Sequence, residues 1–244
     1  MGNLVRSSKY WLALAVLCLA GSAFAGPLTV TLDFTGTGGS APLGYAYIYP
    51  YYFNISPAVP STAPSTNVAM ACDDFTDEIT YGESWQTLVT SLPNASSSNT
   101  YFFGKANYEG DSGLTSYEEA AWLAEQLESP HPIAPMGDIQ WALWGLFDGS
   151  NGAFNANFLG DFNTFGIADK NEISTLLADA KNDHGSAASY SNVYIYTPVT
   201  VDSNGAITVR TDNGRPQEFL RVVPETSTLA LLGIGLAGLA ALLL

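Results

Sequence analysis

The order of pattern types along the chain predicts an α+β fold, a single domain of antiparallel strands with a central group of about three helices. Strand-like alternation fills residues 27–92 and returns at 192–223, while helical periodicity is confined to 116–181. Strands, then helices, then strands favour segregated layers over a parallel sheet of alternating βαβ units. The composition supplies a core, with 47% hydrophobic and 12% aromatic residues against 13% charged, so the chain is unlike an acidic disordered one. No internal repeat is visible.

Residues 27–34 (PLTVTLDF) alternate apolar and polar side chains and read as a strand. A glycine-rich turn follows at 36–40. Residues 45–53 (YAYIYPYYF) are aromatic and strand-like, with Pro50 marking an edge or a break. The Pro-, Ser- and Thr-rich stretch 56–66 is a loop. Residues 68–79 and 85–92 read as strands around a turn at Tyr81–Gly82, and 94–100 is a polar loop. The period then changes. In 116–128 (SYEEAAWLAEQLE), Ser116 and Glu119 have capping-box spacing, and Ala120, Leu123, Ala124 and Leu127 form one apolar face. Three prolines in 129–135 end that helix. Residues 138–147 (DIQWALWGLF) make a second helix with Asp138 placed to cap it, and 171–181 a third. Residues 192–201, 206–211 and 218–223 return to strand pattern.

Both ends of the chain read as export signals. Arg6 and Lys9 precede the apolar core 10–19, which is too short to span a bilayer, and AGSAFA (20–25) ends in the small-x-small pattern that signal peptidase cuts. Cleavage between Ala25 and Gly26 divides the chain into a signal peptide (1–25), a folded domain (26–221) and a tail (222–244). Leu17 before Cys18 argues against a lipoprotein site. Loss of Arg6 and Lys9 leaves 23 acids facing 6 bases, taking the formal charge from −15 to −17. Such a chain does not bind nucleic acid by neutralising phosphates.

In the tail, Ser227 opens 18 uncharged residues (STLALLGIGLAGLAALLL), which as a helix reach roughly 27 Å, about the hydrocarbon thickness of a membrane. Pro224, Glu225 and Ser227 with this apolar run resemble the PEP-CTERM sorting signal of Gram-negative bacteria. Thr226 stands where that motif usually has a second proline, and no basic cluster follows the apolar run. The resemblance implies recognition by an exosortase, a membrane-inserted C-terminal helix, and an association with exopolysaccharide or biofilm. Sorting, cleavage and simple insertion of the tail all remain open.

Signal cleavage also removes Cys18, leaving Cys72 alone in an oxidising compartment. A lone exported cysteine is an intermolecular disulfide partner, a reactive thiol or a buried inert one. His131 lies between prolines and His184 at a helix end, with no metal-ligand spacing between them. No metal or cofactor is expected. A Cys72–His131 or Cys72–His184 nucleophile pair is the least favoured reading. The adjacent acids Asp73 and Asp74 read as a solvated strand edge, lacking the spaced loop of a calcium site.

Ala71-Cys72-Asp73 in an apolar strand, together with Ile139-Gln140-Trp141-Ala142-Leu143-Trp144 on an aromatic helix, resembles the thioester domains of bacterial surface adhesins. In that family a cysteine bonds covalently to the glutamine of an apolar-Gln-x-x-apolar-Trp motif. Residues 117–123 (YEEAAWL) are similar to the family's other helix motif, with Glu118 or Glu119 at its polar position; both also suit a first helical turn. Ala71 departs from the bulkier residue usual before the cysteine. The resemblance implies a thioester between Cys72 and Gln140, screened from water by Trp141, Trp144 and Phe147. A target amine or hydroxyl then takes the acyl group, leaving the protein attached to a surface, polysaccharide or protein. Such a chain acts once and is not an enzyme. The physical requirement is a thiol held against an amide whose oxygen is polarised by donors, and Gln140, third from the expected cap, lies near free helix N–H groups. The alternatives are a structural matrix protein with an inert Cys72 and a carbohydrate-binding module. Tyr45, Tyr47, Tyr49, Tyr51 and Tyr52 are candidates for a recognition face, or are ordinary strand aromatics.

Overall fold

The computed structural model describes residues 28–38, 46, 48–59, 63–212 and 214–224. The signal segment with Ala25 and Gly26, the motif residues Glu225 and Ser227, and the apolar tail lie outside them; Pro224 is the last described residue and is exposed. Among the described residues no helix is long and apolar enough to cross a membrane.

Among the described residues the fold is mixed, with antiparallel strands and four α-helices. The strands are β1 (Leu28–Thr37), β2 (Tyr51–Ser56), β3 (Val68–Cys72), β4 (Ser84–Ser91), the short β5 (Gly149–Ser150) and β6 (Ala153–Phe154), β7 (Val193–Val201), β8 (Ile207–Val209) and β9 (Phe219–Val222). Six of them close into a barrel in the order β4-β1-β2-β3-β9-β7, with β7 pairing back onto β4 and β8 extending β7 as a hairpin. Closure removes the free sheet edges. Period-two burial builds the barrel core: Val30, Leu32 and Phe34 on β1 alternate with more exposed neighbours, as do Tyr51, Phe53 and Ile55 on β2. Phe53 packs edge-on against Trp85 (5.9 Å) and Phe219 (4.7 Å) across the interior.

All four helices fall between β4 and β7: α1 (Leu114–Glu128), α2 (Met136–Phe147), α3 (Ala156–Phe162) and α4 (Ile167–Asp183). Helix α2 is exposed at Met136 but buried at every residue from Asp138 to Phe147, as expected of a helix that is apolar all round. It contacts α1, α4 and the barrel strand β3.

Several boundaries differ from expectation for local reasons. Strand β2 starts after Pro50, which has no N–H to give a ladder. Strand β3 stops at Cys72 because Asp74 Oδ1 accepts from the Thr76 amide and hydroxyl, both at 3.2 Å, and turns the chain. Helix α1 begins at Leu114 with Gly113 (φ 67°) before it, so Ser116 is not its cap; Glu119 binds Asn107 instead of closing a capping box. Helix α2 begins two residues before Asp138, behind Pro135. The fourth helix, α3, is hidden in an Asn/Gly-rich stretch; Asn155 caps it through Phe158 N–H (2.9 Å), and Phe158 and Phe162 are its buried residues. Strand β9 ends at Val222, one residue past the expected domain end.

Candidate functional site

Cys72 is the last residue of β3, in register with Phe219 of β9, and Gln140 is the fifth residue of α2. The chain brings these residues, 68 apart, into direct contact: Gln140 Nε2 donates to the Cys72 carbonyl at 2.6 Å. Both side chains are fully buried. The Cys72 thiol donates to the Asp74 carbonyl at 3.1 Å. The Gln140 carbonyl oxygen Oε1 is buried with no hydrogen-bond partner. The expected supply of free helix N–H groups is absent at Gln140. The early start of α2 places it past the first turn, whose amides alone lack intrahelical acceptors.

Burial pushes the Cys72 thiol well up, and the Asp74 and Asp73 carboxyls add to it; the Trp144 indole and the Asp74 backbone pull the other way. The thiol is therefore protonated at neutral pH. The Trp144 N–H faces this sulfur without reaching hydrogen-bond geometry, and its Nε1 is otherwise unpartnered. The Tyr51 phenol is also pushed well up, by burial and then by the neighbouring Cys72.

An aromatic cluster surrounds the pair. Trp141 and Trp144 meet edge-on at 5.1 Å, and Phe75 leans on both, at 5.0 and 5.4 Å. Phe158 and Phe165 back Trp141 at 5.2 and 4.6 Å. Phe147 joins a separate group, stacked on Phe102 at 4.5 Å and tilted against Tyr117 at 5.4 Å. A cleft of about 800 Å³ reaches Trp144 from solvent, walled by Tyr51, Phe75 and Tyr81 with Asp77 and Asp161 among its polar groups.

The acids after Cys72 are not a solvated edge. Asp73 is 0% exposed and Asp74 1%. Asp74 pairs with Arg215, which also reaches Asp77 at 3.1 Å and sits over the Tyr101 ring with its guanidinium carbon 3.4 Å from the centroid. Gln217 Nε2 ties down the carbonyls of Asp74 (2.7 Å) and Asp77 (2.5 Å). Burial pushes Asp73 well up, Glu218 and Asp74 add to this, and Arg215 opposes it. Glu218 accepts from Tyr117 Oη (2.6 Å), the Tyr101 amide (3.0 Å) and the Thr197 hydroxyl. The proton of this buried pair sits on Asp73, because Glu218 holds the donors that favour a carboxylate.

The remaining sequence candidates lie elsewhere. His131 is exposed, and His184 Nδ1 sits 3.8 Å from Glu118; no histidine contributes at Cys72. Among the described residues no group of three His, Cys, Asp or Glu side chains is arranged to hold a metal ion. Of the candidate tyrosines, Tyr49 and Tyr51 are buried, with Tyr51 at the cleft wall, Tyr52 is half-buried, and Tyr45 and Tyr47 lie outside the described residues. Arg215, Gln217, Glu218 and Phe75 were not legible as site residues, since their partners are distant in sequence. The one signal was composition: with few bases in the chain, an arginine just ahead of a strand invites a search for a buried acid.

Four further carboxyls make stability depend on pH. Burial lifts Glu119 to about 8, with Asp111 adding and Asn107 opposing. It lifts Asp148 to about 7, with Asp74 adding, and Glu128 to about 7 against the Val222 amide. Asp138 rises to about 6 through burial and then Asp169 and Glu172. Each is an acid with a folded-state pKa above its unfolded value, so the fold binds the extra proton. Their stabilisation is complete below about pH 4 and is lost as pH rises through 6–8. Thermal unfolding should therefore move to higher Tm between pH 8 and pH 5. Glu119→Gln should raise Tm at pH 8 and change it little at pH 5; a wild-type Tm that falls on acidification over this window contradicts the assignment.

No known protein family, characterised protein or solved structure matches the chain.

Proposed function

We propose that this chain is an exported cell-envelope or extracellular-matrix protein that attaches covalently to a surface target through an internal Cys72–Gln140 thioester. The observation that carries the reading is the Gln140 amide donating to the Cys72 carbonyl at 2.6 Å inside a fully buried site. Attack of Cys72 Sγ on Gln140 Cδ forms the S–C bond and breaks Cδ–Nε2. The thiol proton leaves with the nitrogen as ammonia. A target amine or hydroxyl entering by the cleft then takes the acyl group, forming an amide or ester at Gln140 and returning the proton to Cys72. Holding the groups in contact replaces an improbable encounter, and the tryptophan cluster keeps competing water away. The reading of the two ends as a signal peptide and an exosortase-sorted, membrane-inserted tail supports delivery to the envelope.

Intact mass and peptide mapping of the exported chain, purified from a Gram-negative host, test this. The expected result is a deficit of one ammonia, absent in Cys72→Ala and Gln140→Ala, with methylamine incorporated at Gln140 on treatment. The same map should begin at Gly26. A full-mass protein with an intact Cys72 thiol overturns the reading. That outcome would favour non-covalent carbohydrate binding, for which the aromatic, acid-bearing cleft is the supporting observation.

A further inference from the structure

Two buried polar atoms beside Cys72 are left without a nitrogen or oxygen partner, and both come from α2: Gln140 Oε1 has none, and Trp144 Nε1 has only the thiol sulfur that it faces. Gln140 Oε1 and Trp144 Nε1 belong to residues four apart, hence neighbours on one helix face. Gln140 is 0% exposed and Trp144 2%. An unpaired buried donor and an unpaired buried acceptor each cost stability, and two of them at one reactive contact suggest a partner that exists only during reaction. Attack by Cys72 creates such a partner. The Gln140 carbonyl becomes tetrahedral and its oxygen takes the negative charge, while the carbon acquires the sulfur as a substituent. Attack brings Oε1 to within one bond angle of the sulfur that the Trp144 N–H faces. The free backbone amides that would otherwise serve are spent, because Gln140 lies beyond the first turn of α2.

We infer that the Trp144 indole N–H is the oxyanion donor for thioester formation and for the later acyl transfer. The inference rests on the thioester reading. It gives Trp144 a chemical role beyond screening. In the forward step the N–H stabilises the charge on Oε1 until Cδ–Nε2 breaks and ammonia departs. In acyl transfer it stabilises the same oxygen until the S–C bond breaks and Cys72 Sγ recovers its proton. The donor itself is never transferred.

The test uses the full chain, with methylamine as the acceptor and mass spectrometry as the readout. Trp144→Phe should leave the thioester largely unformed, or slow its opening by methylamine by about 10²–10³-fold, as removal of a single oxyanion donor does. Replacing Trp144 by 3-benzothienylalanine keeps the bicyclic shape and the packing and removes only the N–H, so it should show the same defect even if Trp144→Phe folds poorly. Trp85→Phe deletes another buried, unpartnered indole N–H in the barrel and should form and open the thioester as wild type does. If the wild type carries the ammonia deficit and the benzothienyl protein forms and opens its thioester at the wild-type rate, the donor role is overturned while the thioester reading stands. If the wild type has full mass, the thioester reading itself fails, and this inference with it.

Discussion

Replacing Arg215 by alanine should cost the fold about 3–5 kcal/mol, the range for removing one partner of a buried ion pair. Arg215 is 1% exposed, as is Asp74, and it serves Asp77 and the Pro216 carbonyl (3.1 Å) as well. Burial opposes its charge, and the Asp74 and Asp77 carboxylates more than restore it. Without the guanidinium, Asp74 stays buried with an unpaired charge. The damage should extend to the Cys72–Gln140 contact, because the Asp74 carbonyl accepts the Cys72 thiol and the 73–77 turn carries Phe75 onto both tryptophans. Urea unfolding of Arg215→Ala is expected to show a much lower midpoint. The combined change Arg215→Met, Asp74→Asn and Asp77→Asn should recover part of the loss, since it removes the charges at 74 and 77 and leaves only the Glu218 carboxylate, held by its own hydrogen bonds, without the guanidinium. A single variant as stable as wild type would show that solvent reaches this cluster.

How far the sequence foretold these features depended on the range of the interaction behind each one. Strands β1 and β4 and the body of α1 and α2 follow from side-chain period alone, and there expectation and structure agree to within a few residues. Helix α3 was invisible because its Asn and Gly residues argue locally for a loop; Phe158 and Phe162 outweigh them only once the ring cluster around Trp141 exists to receive them. Asp73 and Asp74 were misjudged for a related reason. An adjacent acid pair is solvated by default, and it is the guanidinium of Arg215, more than 140 residues on, that lets Asp74 be buried. The Cys72–Gln140 juxtaposition is legible only through the resemblance of both segments to a family pattern, since nothing in either segment by itself specifies the other. The free first-turn amides expected near Gln140 are not there, because Pro135 and Met136 start α2 earlier than Asp138 suggested.

Trp141→Ala should be the most damaging single change in the helical layer, and it separates packing from protection. Trp141 is fully buried and touches Phe75, Trp144, Phe158 and Phe165. Its truncation is expected to cost about 3–5 kcal/mol, because four surrounding rings on three different segments cannot all collapse into the void. Helix α2 is enclosed on every side, so the cavity opens within the layer that covers Gln140. If the thioester forms, water admitted there competes with the target for the acyl group. On the thioester reading, Trp141→Ala should therefore still assemble the bond in protein kept cold and lose it faster on warming, gaining the mass of one water as Gln140 becomes glutamate. Trp144→Phe is expected to show the opposite kinetics, with slow formation and slow opening, since there the donor is lost and most of the cover remains. A Trp141→Ala protein that loses stability as expected yet hydrolyses at the wild-type rate would assign the dryness of the site to Phe75 and the barrel rim.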